Sequence, residues 1–193
     1  MKRLALLAAL VACGPSARHA KEAPPPVLMQ PPTATALGPS LAAIGFDPAH
    51  LPAFEDIPAE QRQKMMPLFA KSLGVPCEGC HAPSDFFTVT PRMRVAEQMW
   101  QHFVRALETS DKQPLFCDSC HHGSMRILDR KSPESVALWM DQSYVAKLAR
   151  RDEAEHACPT CHGEPAEMRF IRFWAAGKPF PPKNSTTAQQ VSR

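Results

Sequence analysis

Three copies of the pentapeptide Cys-x-x-Cys-His constrain this chain more than any other feature. They run from Cys77 to His81, from Cys117 to His121 and from Cys158 to His162. This spacing lets one helical turn present both thiols to the two vinyl groups of a haem, while the adjacent imidazole reaches the iron. We therefore expect three covalent haem c groups. Their thioether attachments would be Cys77, Cys80, Cys117, Cys120, Cys158 and Cys161, and their proximal iron ligands would be His81, His121 and His162.

Zinc is the main alternative, because Cys-x-x-Cys is also a common half of a zinc site. Zinc does not require a histidine directly after each of three pairs, and histidine is scarce here, with 8 in 193 residues. The pattern therefore favours haem over zinc or a disulfide framework.

The first twelve residues have the character of an export signal. Lys2 and Arg3 carry positive charge, and an apolar run from Leu4 to Ala12 follows, too short to span a bilayer. The run ends at Cys13 in a sequence that resembles the lipobox of bacterial lipoproteins. We expect residues 1–12 to be removed and Cys13 to be lipidated, which would anchor the protein to a membrane on the periplasmic side. An ordinary signal peptide is the alternative.

The formal net charge of +3 does not indicate a nucleic-acid partner. Loss of Lys2 and Arg3 with the signal would reduce it to +1. Two propionates on each of three haems would then bring the holoprotein to roughly −5, so we expect no nucleic-acid binding.

Composition divides the rest of the chain. Residues 13–45 are rich in Pro, Ala and Ser without a helical or strand period, which predicts an extended tether. Residues 46–174 hold all three motifs and form the predicted trihaem domain, and residues 175–193 form a polar, irregular tail.

An internal repeat becomes visible when the motifs are aligned. Met99, Phe103 and Leu107 before the second motif match Met140, Tyr144 and Leu148 before the third, and the first motif follows a similar segment containing Met65, Phe69 and Leu73. Apolar residues three and four apart predict an amphipathic helix in each unit. Helices should begin near Pro58, Thr90 and Ser132. We predict a mainly α fold and find no alternating pattern typical of a sheet.

The repeated methionines are candidates for the distal iron ligands, since thioether sulfur is a known axial partner of haem. They are Met65, Met99 and Met140, and core packing is the ordinary alternative for each. His102 lies one turn after Met99 and is an alternative ligand. We expect His122 and His156 to face solvent.

The segment from Met65 and Met66 through Ser72-Leu73-Gly74 to His81 resembles the tetrahaem cytochrome subunit of photosynthetic reaction centres. The stretch from Thr90 to Ala106 is similar to the next helix of that family, and the match is strongest over residues 60–107. The resemblance implies His and Met ligation, with Met66 favoured over Met65 at the first haem and Met99 at the second. This chain departs from the family in having three motifs instead of four and in lacking a counterpart of its separate histidine ligand.

These features together predict a lipid-anchored, three-haem electron carrier that exchanges single electrons with donor and acceptor proteins, including a membrane complex. The alternative is a haem enzyme or gas sensor in which the third haem is five-coordinate. A haem subunit of a larger complex is a further possibility.

Overall fold

The fold is taken from a computed structural model, which describes residues 29–129, 132–158, 162 and 170–178. The predicted signal, Cys13, Cys161 and the tail beyond residue 178 lie outside the described residues. No helix within the described ranges combines the length and the apolar character needed to cross a membrane.

The described chain is mainly α-helical with much irregular structure, as the sequence predicts. The α-helices of the described residues are α1 (Gly38–Ala43), α2 (Ala59–Leu73), α3 (Pro91–Met99), α4 (Asp118–His121), α5 (Pro133–Met140) and α6 (Phe170–Ala175). Two short 3-10 turns, Phe54–Asp56 and Cys77–Gly79, and two π-helical turns, Trp100–Val104 and Asp141–Val145, complete the helical structure. Strands β1 (Leu107–Thr109) and β2 (Leu148–Arg150) pair antiparallel, with Glu108 opposite Ala149.

The predicted helix starts are confirmed. Thr90 and Ser132 are the N-caps of α3 and α5, and their hydroxyls accept the backbone N–H groups of Met93 and Ser135 at 3.2 and 3.4 Å. Both helices have proline at their first position, where the missing N–H costs nothing. Helix α2 begins at Ala59, directly after Pro58.

The repeat found in the sequence also appears in the backbone. Helix α3, a π turn and β1 follow one another in the second unit, and α5, a π turn and β2 do so in the third. The helices end at the aligned methionines Met99 and Met140. Each π turn is closed by a 3.0 Å bond, from Arg105 N–H to Trp100 O and from Ala146 N–H to Asp141 O. The sheet, which was not predicted, joins the two units through one strand from each.

Two clusters form the apolar core. The larger surrounds Trp100, which is 2% exposed and meets the rings of Phe54, Phe69 and Phe116 edge-on at centroid distances of 6.0 Å. It also contains Leu37, Leu41, Ile57 and Met65. The smaller consists of Leu107, Leu115, Tyr144 and Leu148 and lies where the sheet joins the two units.

The prediction of an extended tether up to residue 45 is wrong for the part of that segment that the structure describes. Helix α1 lies within it, and Leu37 and Leu41 are buried in the larger core. The folded region therefore begins before residue 46. The four-residue spacing of Leu37 and Leu41 is typical of one face of a helix, but the prolines and alanines around them do not continue the pattern.

The end of α2 is packed tightly against the loop after the second motif. Gly74 caps α2 in the left-handed conformation, at φ 62°. The N–H of Gly123 donates to the Ser72 carbonyl at 2.9 Å. A Cβ on Gly74 would lie 1.9 Å from the Gly123 carbonyl oxygen, so no side chain fits there without moving the backbone.

Replacing Gly74 by alanine should therefore lower the free energy of unfolding by about 2–4 kcal/mol, through left-handed strain plus overlap with the Gly123 backbone. Urea denaturation followed by circular dichroism measures the change. Gly123→Ala separates the two causes, because φ is 79° there but no atom lies within 4 Å of its added Cβ. It should cost only about 1 kcal/mol. Gly38→Ala, which meets only Pro48 at 3.8 Å, should be neutral or slightly stabilising. Equal losses at Gly74 and Gly123 would contradict the tight packing.

Candidate haem sites

The first two motifs each form a single helical turn that brings the histidine back beside the first cysteine. The first motif lies on the 3-10 turn Cys77–Gly79 and the second on α4. In both, the N–H of the histidine donates to the carbonyl of the first cysteine at 3.0 Å. Both cysteines and the imidazole therefore project from one short turn, which is the arrangement that covalent attachment to haem c needs.

The two histidines are held in the same tautomer. His81 Nδ1 lies 3.0 Å from the Phe86 carbonyl oxygen, and His121 Nδ1 lies 2.9 Å from the Ser124 carbonyl oxygen. Because a carbonyl only accepts, each Nδ1 must carry the proton, and each Nε2 keeps its lone pair. This carbonyl contact is the usual outer-shell arrangement of metal-binding histidines, where it fixes the ring orientation and strengthens the donor nitrogen.

Burial favours the neutral form of three groups in these motifs. It lowers the pKa of His121, which favours the unprotonated imidazole that can bind iron. It raises the pKa of the Cys80 thiol, and it raises that of Cys117 far above its usual value. The Asp118 carboxylate adds to the rise in the pKa of Cys117.

The first motif also fixes the start of α3. Thr90, the N-cap of that helix, donates its hydroxyl to the Cys80 carbonyl at 2.5 Å. Arg92 donates Nη1–H to the Gly79 carbonyl at 2.5 Å. These contacts hold the first turn of α3 against the first motif. Because α3 ends at Met99, the first motif positions the helix that carries the candidate ligand of the second haem.

A segment N-terminal to α1, which we call the strap (residues 31–36), lies along the second motif. The carboxylate of Asp118 accepts the Thr35 hydroxyl at 2.7 Å and the Ala36 N–H at 2.9 Å. The N–H of Thr33 donates to the Ser119 carbonyl at 3.0 Å, and His122 Nε2 lies 3.1 Å from the Pro31 carbonyl oxygen. The expectation of a solvent-facing His122 is therefore wrong, because its ring is half-buried under the strap.

His156 is also not simply solvent-facing. Its ring is half-buried, and Nδ1 lies 3.4 Å from the Val145 carbonyl oxygen at the end of the second π turn. The third motif itself is described only at Cys158, which is exposed, and at His162.

Helix α6 places aromatic rings beside His162 of the third motif. The His162 ring meets Phe170 edge-on at 5.2 Å, and Phe170 meets Trp174 at 4.8 Å. Trp174 stacks on His102 at 5.5 Å with an interplanar angle of 8°. Burial lowers the pKa of His102. The alternative ligand therefore lies beside the aromatic layer of the third site, a placement that the sequence did not indicate.

The four candidate methionines differ in burial. Met65 is 0% exposed and belongs to the larger core with Trp100. Met66, Met99 and Met140 are only partly buried, and Met140 packs against the smaller core. The aligned positions Met65 and Met99 thus have different surroundings.

Two large apolar side chains are exposed just after the first motif. Phe87 is 94% exposed and Phe86 is 48% exposed, with the Phe86 ring 5.2 Å from His81. Leu138 on α5, two residues before Met140, is 60% exposed. Contiguous exposed apolar surface, as at Phe86 and Phe87, is typical of a place that a partner or ligand covers. A porphyrin, which is large and apolar, fits that requirement, and together with the free Nε2 atoms this makes the residues present suitable for haem.

Comparison with known proteins gives no relative, since no family model, curated protein or solved structure matches the chain.

Removing the Asp118 carboxylate should release the strap from the second motif. We expect Asp118→Ala to speed amide hydrogen exchange at residues 33–36 and to cost about 1–3 kcal/mol, since two hydrogen bonds to a charged acceptor are lost. Exchange mass spectrometry measures the first effect and thermal unfolding the second. Glu78→Ala is the matched control, because Glu78 holds the same place in the first motif but is exposed. Unchanged exchange at residues 33–36 in Asp118→Ala would refute the contact.

Proposed function

We propose that this chain is a lipid-anchored c-type cytochrome with three haems, which passes single electrons between redox partners on the periplasmic side of a bacterial membrane. The observation that carries the proposal is the shared tautomer of His81 and His121. Both Nδ1 atoms are used by backbone carbonyls, so both Nε2 atoms are available as iron ligands. In both motifs the acceptor is a backbone carbonyl of the chain just after the histidine.

Haem would supply iron that changes reversibly between two oxidation states. The chain's own residues would attach it, orient it and set its potential. Thioether bonds at the six motif cysteines would fix each porphyrin, and His81, His121 and His162 would bind the irons.

The distal ligands that we propose are Met66, Met99 and Met140. Burial supports Met66 over Met65 at the first haem, since the Met65 side chain is enclosed in the core beside Trp100 while Met66 is partly exposed. Methionine ligation raises the potential of a haem, which suits a carrier that accepts electrons readily. If one His and one Met side chain bind each iron, no coordination position would remain for a substrate, and this argues against catalysis.

The contacts between the first two motifs support electron passage between their haems. A hydrogen bond from Gly123 to Ser72 joins the loop after α4 to the end of α2, which leads into the first motif. Haems attached at the first two motifs would therefore be neighbours.

The holoprotein should contain three haems per chain by the pyridine haemochrome assay, and its oxidised form should show the weak near-infrared band of methionine bound to ferric haem. The reduced protein should bind no carbon monoxide rapidly, because every iron is six-coordinate. Rapid binding at one haem would instead favour the haem enzyme or gas sensor, with the third haem open. A preparation without covalent haem, or with zinc in its place, would overturn the proposal.

Met66 and Met65 form a matched pair for testing ligation. Met66→Ala should remove about one third of the near-infrared band and lower the potential of one haem by on the order of 0.1 V. Met65→Ala should leave that band intact and instead destabilise the protein by about 2–5 kcal/mol, through a cavity in the core. Spectroscopy, redox titration and thermal unfolding separate the two effects. The reverse assignment of effects would identify Met65 as the ligand.

A further inference from the structure

A cavity of about 490 Å³ is lined by residues that belong to none of the three motifs. It is bounded by residues 48–51, by Val104 and Arg105 at the end of the first π turn, by Glu108 on β1 and by Arg151 just after β2. None of these residues is a candidate haem ligand or attachment point. We call this space the arginine cavity.

Each of its two arginines is fixed by two hydrogen bonds, one from Nε–H and one from Nη1–H. Arg151 donates Nε–H to the Leu107 carbonyl at 3.1 Å and Nη1–H to the Ala49 carbonyl at 2.9 Å. Arg105 donates Nε–H to the Leu51 carbonyl at 3.1 Å and Nη1–H to the Gln101 side chain. Within the described residues, neither Nη2 group has an acceptor. Two positioned guanidinium groups therefore each keep unused N–H donors.

The acidic groups nearby do not neutralise both arginines, because each acid has another cationic or hydrogen-bonding partner. Glu108 bonds Lys112 at 2.8 Å and stands 3.8 Å from Arg151. Asp47 bonds the His50 ring at 2.6 Å. The cavity thus keeps positive charge that a small anion can balance.

We propose that the arginine cavity binds a carboxylate group through the Nη2 donors of Arg105 and Arg151. Guanidinium groups match the planar geometry of carboxylates and bind them with paired hydrogen bonds. The Glu108 carboxylate on the wall opposes a dianion such as phosphate. The carboxylate has two possible sources, a small free carboxylic acid or a propionate of one of the chain's own haems. Only the second source rests on the proposed function.

The experiment uses the purified holoprotein and its Arg105→Gln and Arg151→Gln variants. Arg94→Gln is the matched control, since Arg94 also donates to a backbone carbonyl, that of Ala175, but lies outside the cavity. Acetate, a carboxylate with a single charge, is titrated calorimetrically at low salt, and the midpoint potentials and haem content of each variant are measured. Circular dichroism and thermal unfolding verify that each variant is folded, and Arg151→Lys retains the charge if Arg151→Gln does not fold.

A free carboxylate is the source if acetate binds the wild type and binds about tenfold more weakly in both cavity variants, but normally in Arg94→Gln. A propionate is the source if acetate does not bind, while both cavity variants lower the potential of one haem and increase its dependence on pH. The proposal is overturned if acetate binds the cavity variants as it binds the wild type, or if it does not bind and no potential changes. A chain without haem would refute the proposed function, and the acetate titration alone would then decide the carboxylate site.

Discussion

The contact between the end of α2 and the loop after α4 holds the first two motifs together. It consists of one hydrogen bond, from Gly123 N–H to the Ser72 carbonyl, and of a backbone approach so close that Gly74 can have no side chain. Helix α2 leads into the first motif, and α4 contains most of the second. A shift at this contact would separate the motifs, and it would also displace Met65 and Phe69 from the core around Trp100.

The strap, which lies N-terminal to α1, is also held against the second motif. Residues 31–36 bond to Asp118, Ser119 and His122, so the second motif lies between the strap and α2. The chain that follows the strap contributes Leu37 and Leu41 to the same core.

Much of the local structure could be predicted from the sequence. The sequences Thr90-Pro91 and Ser132-Pro133 predict helix starts, because helix capping involves only residues within one turn. The spacing of the repeated apolar residues predicts that each helix has a buried face. The π turns could not be predicted, because a single displaced hydrogen bond does not change the spacing of the apolar residues in the sequence. Strands of three residues are too short for alternation to appear. The strap depends on bonds between residues about 80 positions apart, such as Thr35 and Asp118, and such long-range contacts have no local signal.

The internal repeat and the family resemblance predict different distal ligands for the first haem, Met65 and Met66, and these two residues differ in burial. The internal repeat aligns Met65 with Met99, but in the second unit the residue after the methionine, Trp100, is the one in the core. In the first unit Met65 itself occupies that core, and Met66 is partly exposed as Met99 is. One residue turns a helix by about 100°, so the buried face of α2 is displaced by one position from that of α3. Superposing the buried residues would place Met65 on Trp100 and Met66 on Gln101, so no single alignment of the two helices matches both the burial and the methionines. Partial exposure, and not its position in the repeat, is what Met66 shares with Met99 and what makes it the proposed ligand.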